Sequence, residues 1–216
     1  MLLKIQWGLE YMDIFLIRHS EQLKLKGIKN VEESSQIENE KIILSIEGEK
    51  KAKEICKLKE LNNIDTLWSS NYVRAIATSK YIAKINNIDI NIDERLNERK
   101  LRKFRKFKKM QKNKKLSYTK EQLLDEKLKN EDGESNIEVS RRMSDFFNDL
   151  INSSNSCKSI AVISHGAAIK FYLSKFCTLN KDCELKYKDR ILKINSPSVF
   201  KLKIKYNKLK DITQIY

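Results

Sequence analysis

The chain has 216 residues, an ordinary apolar share of 40% and a formal net charge of +15. This length and composition favour one folded globular domain and exclude an intrinsically disordered chain. No apolar run reaches the roughly 18 residues of a membrane span, and the first residues lack the apolar stretch and cleavage site of a secretion signal. We therefore expect a cytoplasmic protein without membrane contact, built as a single domain over residues 1–216 with an N-terminal extension at 1–12.

The positive charge is concentrated in residues 99–115, which hold eleven Lys or Arg and no acid. The rest of the chain carries a net charge of about +4, which is ordinary for a domain of this size. A basic run of this kind attracts polyanions such as nucleic acids or acidic proteins. It is also typical of a solvated, lysine-rich surface, so both interpretations stay open. We expect residues 99–135 to form a basic cap-like insertion.

The cysteines do not predict a metal site. Cys56, Cys157, Cys177 and Cys183 form no C-x-x-C pair, and the chain has only two histidines. Structural zinc sites need closely spaced Cys and His ligands, which this pattern lacks. We expect no metal site, and free thiols in a reducing compartment.

In chain order, short apolar runs alternate with amphipathic segments. A continuous apolar run at 14–17 predicts a strand buried on both faces, and polar residues over 24–41 predict a loop. Apolar residues at helical spacing predict a helix over 45–61 with Ser45 as its N-cap. The remaining predicted elements are strand 64–70, helix 72–85, strand 88–96, helix 117–130, helix 136–151, strand 159–164, helix 166–176 and a hairpin of strands 199–206 and 209–216. This alternation predicts an α/β fold, a three-layer α/β/α sandwich with a mostly parallel central sheet.

Both histidines follow a buried strand. His19 ends the stretch "DIFLIRH", and His165 ends "SIAVISH". Ligands of parallel α/β sheets bind beyond the carboxyl ends of the strands, so both imidazoles are expected at the binding edge. Arg18 precedes His19, and Arg74 begins the helix after the strand at 64–70. Guanidinium groups match phosphate oxygens, and the helix N-terminus near Arg74 also favours an anion.

These residue types suit a phosphoryl transfer. Neighbouring cations keep an imidazole neutral, and a neutral imidazole has a lone pair that can attack the phosphorus of a bound anion. The leaving oxygen also needs a proton donor, and Glu98 follows the third predicted strand at the same edge, with Glu94 close by as an alternative. Each of these residues has an ordinary structural interpretation as well. The patterns by themselves support only an anion-binding α/β protein.

Six stretches then occur in order along the chain: "LIRHSE", "SIEGEKKAKEI", "WSSNYVRAIATSKYIA", "ERLNE", "GESNIEVSRRM" and "VISHGAAIK". They resemble the "RHGE", "LT..G..QA", "SSPL.RA.QTA", "L.E", "GES…R" and "HG" motifs of the histidine phosphatase superfamily, the phosphoglycerate mutase-like proteins. The resemblance covers residues 13 to about 175. The agreement of several separated motifs in the same order makes it highly specific.

The resemblance implies a role for each candidate residue. His19 would be the phosphorylated nucleophile, and Glu98 the general acid and base. Arg18, Arg74 and His165 would form the phosphate pocket. His165 would also be a catalytic residue. The phosphatases of this family need no metal or dissociable cofactor, whereas a mutase needs a phosphorylated priming compound.

The chain departs from the family pattern at three places. Ser20 replaces the usual Gly after the nucleophile, Leu25 stands where many members have a phosphate-binding Asn, and residues 99–115 replace the common sequence after the acid. We therefore expect a phosphomonoester hydrolase that acts through a phosphohistidine on a small phosphorylated substrate. The alternatives are a phosphoglycerate mutase-type phosphoryl transfer, or a weakly catalytic chain that binds nucleic acid or acidic partners through residues 99–115.

Overall fold

The computed structural model describes residues 11–24, 36–100, 121, 123–129, 133–153, 158–180, 182 and 184–216. Its helices are α1 (Gln36–Lys41), α2 (Ile46–Ile55), α3 (Val73–Asn86), α4 (Asn136–Ser153) and α5 (Gly166–Ser174). Its strands are β1 (Met12–Arg18), β2 (Thr66–Ser69), β3 (Ile90–Ile92), β4 (Ser159–Ser164), β5 (Thr178–Leu179), β6 (Leu185–Tyr187), β7 (Arg190–Leu192), β8 (Ser198–Lys205) and β9 (Lys208–Gln214). Within these ranges the strands form a six-stranded sheet in the order β3-β2-β4-β1-β8-β9 and a three-stranded sheet in the order β5-β6-β7.

The large sheet is parallel across four strands and antiparallel at one end. β1 pairs in parallel with β4, β4 with β2, and β2 with β3. β8 pairs antiparallel with β1, and β9 with β8, which confirms the predicted C-terminal hairpin. The mostly parallel sheet of the predicted fold is therefore confirmed. The carboxyl ends of β1, β2 and β4 meet at one edge.

Alternating side chains of β1 fill two cores, one on each face of the sheet. Ile14 and Leu16 belong to the core that α4 and α5 cover. Phe15 and Ile17 belong to the core that α2 and α3 cover. All four side chains are at most 2% exposed, and burial of side chains this size stabilises the fold by about 1.5–3 kcal/mol each. The sheet is thus the middle of three layers, and β1 is a rigid support for His19, which follows it.

The helix predicted over 45–61 is shorter than expected. It ends at Ile55, and residues 59–61 form a separate 3-10 turn. Between the two, the N–H of Leu58 bonds to the Ile55 carbonyl at 3.1 Å, and the Leu58 backbone is extended. This bend carries Leu61 into the core, where it is fully buried. Burial of Leu61 therefore outweighs continuation of the helix.

The strand predicted over 88–96 covers only β3, and a 3-10 turn over Glu94–Leu96 follows it. Asp93 begins this turn, because its carboxylate accepts from the Arg95 N–H at 2.8 Å and from the Arg95 guanidinium at 2.8 Å. The turn ends the strand alternation. It brings the chain back to the sheet edge, where Glu98 follows.

Two elements were absent from the predictions. α1 lies inside the predicted loop at 24–41, and the small sheet follows α5. The strands of the small sheet have only two or three residues each, which is too short for alternation to be visible in the sequence.

Several predictions concern residues outside the described ranges. These are the positions 1–10, Leu25, most of the basic segment 99–115 and part of the helix at 117–130. Met12, which the predicted N-terminal extension includes, is a buried residue of β1. Within the described ranges, no helix combines the length and the apolar character needed to cross a bilayer.

Candidate active site

The ends of β1 and β4 bring the two histidines together. The strands pair so that Arg18 lies beside Ser164, and the His19 N–H donates to the Ser164 carbonyl at 3.0 Å. His165 follows Ser164, and the two imidazole centroids are 4.9 Å apart at an interplanar angle of 61°. Both residues are buried, with exposures of 3% and 0%. The two strand ends thus place both rings in one site.

The hydrogen bonds of His19 determine which of its ring nitrogens is free. Nδ1 lies 2.7 Å from the Ser20 carbonyl oxygen, and a carbonyl only accepts, so Nδ1 carries the hydrogen. On the other side of the ring, Nε of Arg74 donates to Nε2 at 3.1 Å. Nε2 accepts this bond only when it is unprotonated. Both contacts therefore select the neutral tautomer, with a lone pair on Nε2.

Burial and nearby cations keep the His19 ring neutral. Desolvation, then the charge of Arg74 and finally that of Arg18 lower the pKa of His19 from 6.5 to about 3, against the opposing effect of the hydrogen bond to Ser20. At neutral pH Nε2 therefore keeps its lone pair, which a nucleophile requires; in this structure the lone pair accepts from Arg74, so an anion that takes over this guanidinium frees it for attack.

Two guanidinium groups flank His19. Arg74 is 2% exposed, and its Nη1 donates to the Asn39 carbonyl of α1 at 2.6 Å. Arg18 donates from Nη1 to the Ile194 carbonyl at 2.6 Å, while its Nε is buried and has no hydrogen-bond partner among the described residues. The carbonyl contacts hold both side chains in place. Further N–H groups remain for an anion.

Gly166 makes room for the Arg18 guanidinium. A Cβ at Gly166 would lie 3.0 Å from Cζ and 3.1 Å from Nε of Arg18. A side chain there would require the guanidinium to shift by a few tenths of an ångström, which gives a physical reason for the glycine of the second "HG" motif.

His165 is held from behind by β2 and the start of α3. Its Nε2 lies 2.8 Å from Oγ of Ser70, and the Tyr72 ring packs edge-on against it with centroids 4.7 Å apart. Burial, followed by the effects of His19 and Arg74, lowers the pKa of His165 well below 6.5. This ring is therefore also neutral in the unliganded site.

The Glu98 carboxylate reaches the same edge at the N-terminus of α5. Its Oε1 accepts from the N–H groups of Arg99 at 2.8 Å and Ala168 at 3.2 Å. The charge of Glu98 opposes the lowering of pKa that burial causes at Arg18 and Arg74. Glu98 is thus within electrostatic reach of both guanidiniums.

The alternative acid, Glu94, lies elsewhere. It is exposed in the 3-10 turn and accepts from the side-chain amide of Asn71 at 3.4 Å. Of the two carboxylates, Glu98 is the one that faces the histidines and arginines.

The chain directly after Glu98 is anchored by Glu134. Arg142 binds the Glu134 carboxylate through Nε at 2.7 Å and Nη2 at 3.0 Å. The Lys100 N–H donates to the same carboxylate at 2.8 Å, and Nε of Arg99 donates to the Glu134 carbonyl at 2.7 Å. The "GES" stretch therefore positions Glu98 through the two residues that follow it.

Ser20 contacts α2 and does not enter the cavity. Its hydroxyl donates to the Gly48 carbonyl at 2.7 Å, its N–H donates to Oγ1 of Thr78 at 3.0 Å, and the residue is fully buried. Gly48 permits the neighbouring Glu21 backbone to pack against α2, because a Cβ at Gly48 would lie 2.0 Å from the Glu21 carbonyl oxygen. The departure at Ser20 adds a bond between α2 and the loop after His19.

The site opens into a cavity of about 420 Å³. Its described lining is polar or charged throughout and consists of Arg18, His19, Glu21, Gln22, Lys24, Asn39, Arg74, Glu98, Arg99 and Ser196. Cations outnumber anions in this lining, so the cavity favours an anionic ligand. Across the described ranges, no group of at least three His, Cys, Asp or Glu is arranged to hold a metal ion.

Sequence reasoning missed several residues that support the site. Asn39 and Ile194 supply the carbonyls that hold the arginines, and the Ser196 hydroxyl donates to the His19 carbonyl at 2.7 Å. Ser70 contacts His165, and its hydroxyl donates to Asn97. Both residues lie within stretches that resemble family motifs, so the sequence could have pointed to them. The others carry no sequence signal, because the fold brings them to the site from distant parts of the chain.

The family follows from the sequence as a whole. A sequence profile of the histidine phosphatase superfamily (branch 1) matches residues 14–194. The chain belongs to this superfamily. The described residues of the candidate site from Arg18 to Ile194 lie inside the matched range. No curated protein sequence matches the chain.

Solved structures of similar fold include phosphatases and a mutase. A mycobacterial glucosyl-3-phosphoglycerate phosphatase in complex with VO3 is 15% identical, with a TM-score of 0.68 over 95% of this chain and 98% of that chain. A phosphoglycerate mutase from Bacillus anthracis is 14% identical, with a TM-score of 0.65 over 95% and 93%. A phosphoserine phosphatase variant from Entamoeba histolytica is 18% identical, with a TM-score of 0.61 over 95% of both chains. At these identities the likeness establishes the phosphoglycerate mutase-like fold and no substrate.

Proposed function

We propose that this member of the superfamily is a phosphomonoester hydrolase that works through a phosphohistidine on His19. The observation that carries the proposal is the fixed tautomer of His19, whose Nε2 lone pair lies beside the Arg74 guanidinium. An anion bound by the guanidiniums places its phosphorus next to that lone pair, so binding and nucleophilic attack share one location.

In the first step, Nε2 of His19 attacks the phosphorus, and the bond from phosphorus to the ester oxygen breaks. Arg18 and Arg74 stabilise the charge on the phosphoryl oxygens during transfer. Glu98 in its carboxylic acid form gives its proton to the departing oxygen, which leaves as an alcohol. The support for this role is that Glu98 lines the same cavity as His19 and lies within electrostatic reach of both arginines.

In the second step, the Glu98 carboxylate takes a proton from water as the water oxygen attacks the phosphohistidine. The bond from phosphorus to Nε2 breaks, inorganic phosphate leaves, and His19 returns to its neutral tautomer. Glu98 is protonated again, so the cycle closes without a net change in the protein.

The alternative is a mutase, which returns the phosphoryl group to a second hydroxyl of the substrate. We favour the hydrolase because the sequence after Glu98 departs from the common family pattern, and this region sets specificity in the family. The similar folds include both activities and do not separate them. A contact of the basic segment 99–115 with polyanions stays a prediction, since residues 101–115 lie outside the described part of the chain.

The test is turnover of an aryl phosphate in ¹⁸O-labelled water. We expect release of inorganic phosphate that carries one oxygen from the solvent, and no turnover by His19→Ala. Ser79→Ala is the matched control, because it removes a buried hydroxyl of α3 whose bond, among the described residues, is to the Ala75 carbonyl. If the protein interconverts phosphoglycerates in the presence of a bisphosphorylated primer faster than it hydrolyses them, the proposal is wrong and the protein is a mutase.

A further inference from the structure

Behind His165 lies a chain of hydrogen bonds that the proposed steps do not use. Oδ1 of Asn97 accepts the Ser70 hydroxyl at 2.8 Å and the Asn71 N–H at 3.2 Å. The Ser70 oxygen in turn lies 2.8 Å from Nε2 of His165. Ser70 and His165 are fully shielded from solvent, and Asn97 is 7% exposed.

The protons in this chain have only one consistent arrangement. The Asn71 N–H is a donor, so Asn97 must present its oxygen to it. The single Ser70 hydrogen then points to the same oxygen. The Ser70 oxygen accepts from the Tyr72 N–H at 3.2 Å, and its remaining lone pair faces the imidazole. Nε2 of His165 therefore carries a hydrogen and donates it.

The neutral His165 ring consequently has its lone pair on Nδ1. This atom is buried and has no hydrogen-bond partner among the described residues. Its ring lies edge-on to the His19 ring, in which the opposite nitrogen carries the hydrogen. The two histidines thus adopt opposite tautomers, each set by its own partner.

His165 packs against His19 and is not among the described residues that line the cavity. We propose that Ser70 and Asn97 are positioning residues that hold His165 in its Nε2–H tautomer, so that Nδ1 is the nitrogen left for the transferred phosphoryl group. This inference rests on the proposed phosphohistidine function, because the phosphoryl group that Nδ1 contacts is the one transferred to His19. A monoanionic phosphate brings one proton, which Nδ1 and a phosphoryl oxygen share in the bound state. No other atom gains or loses a bond in this step.

The alternative is that Ser70 and Asn97 only pack the end of β2. Ser69 allows this alternative to be tested, because it is the adjacent serine and is equally buried. Its hydroxyl donates to the Ser70 carbonyl at 2.9 Å. Ser69→Ala therefore removes a buried hydroxyl from the same strand end while the contact between Ser70 and His165 stays.

Nitrogen NMR of the imidazole rings is the direct test, because the chain contains only two histidines. In the wild-type protein we expect one Nδ1–H ring and one Nε2–H ring, and His165→Ala removes the Nε2–H ring. Ser70→Ala and Asn97→Leu abolish the Nε2–H signature of His165, leave the His19 signals in place and lower kcat for an aryl phosphate on the order of 100-fold. Asn97→Asp keeps the oxygen acceptor and retains the signature, and Ser69→Ala changes neither readout.

Titration with inorganic phosphate tests the second part of the proposal. We expect the nitrogen chemical shift of His165 Nδ1 to move from the value of an unprotonated ring nitrogen toward the value of a protonated one. An Nδ1–H ring at His165 in the wild type, an unchanged Nε2–H signature in Ser70→Ala, or an Nδ1 resonance that phosphate leaves unmoved would overturn it. Absence of phosphatase turnover in the wild type counts against the proposed function instead, while the tautomer signals still decide the role of Ser70.

Discussion

The pKa of His19 makes the stability of the fold depend on pH in a predictable direction. In the folded state its pKa is about 3, whereas the unfolded imidazole titrates near 6.5. Between these values the unfolded chain binds the proton and the folded chain does not. The stabilisation is therefore present above the unfolded pKa and is lost as the pH falls toward the folded pKa.

The size of the effect follows from the same two values. The linkage relation gives a loss of about 2.5 kcal/mol in the free energy of unfolding between roughly pH 7 and pH 4.5 from His19 alone. His19→Asn removes the titrating group. The free energy of unfolding of the wild type minus that of this variant should therefore fall by that amount as the pH is lowered over the same interval. Carboxylates with lowered pKa also weaken the fold in acid, but they do so in both proteins and cancel in the difference.

The assay is urea unfolding at a series of pH values, followed by tryptophan fluorescence. Ser79→Ala serves as the control, because it removes a buried hydroxyl without a titrating group, and its difference from the wild type should be flat with pH. If the difference for His19→Asn is also flat, then His19 is not held neutral by burial and by Arg74, and the reasoning about its lone pair fails.

Two further predictions concern the small residues of the site. Gly166→Ala should weaken the binding of inorganic phosphate by up to about 10-fold, less than the loss of one charged hydrogen bond, since the new Cβ forces the Arg18 guanidinium to shift by a few tenths of an ångström. An unchanged dissociation constant in calorimetry would show that the close contact is not needed. Ser20→Gly should lower the free energy of unfolding by about 1–2 kcal/mol, because it removes the bond to the Gly48 carbonyl and adds backbone freedom. An unchanged urea midpoint would contradict that role for the hydroxyl.

The sequence predicts the supporting strand of the site well, because its signal is local. The apolar run at 14–17 has to be buried on both faces, and only a central strand of a layered sheet allows this. The position of His19 beyond that strand then follows. The hydrogen bonds that fix its tautomer do not follow, because they depend on the Ser20 carbonyl and on Arg74, which lies 55 residues away.

The backbone carbonyls that hold Arg18 and Arg74 could not be predicted from the sequence. The carbonyl that holds Arg18 comes from Ile194, 176 residues further along the chain. Backbone carbonyls have no residue-type signature, so no pattern marks them. The hydrogen bond of the Ser20 hydroxyl could not be predicted for the same reason, since its acceptor is the backbone carbonyl of Gly48 in α2.

The central claim is that His19 itself carries the phosphoryl group. The most direct measurement is rapid acid-free quenching of the wild-type protein with an aryl phosphate, followed by mass spectrometry of the peptides. The account predicts one phosphoryl group on the peptide that contains His19, stable in base and labile in acid, and none in His19→Asn. A phosphoryl group on His165, or phosphate release in a burst-free time course with no phosphorylated peptide at any time, would contradict it.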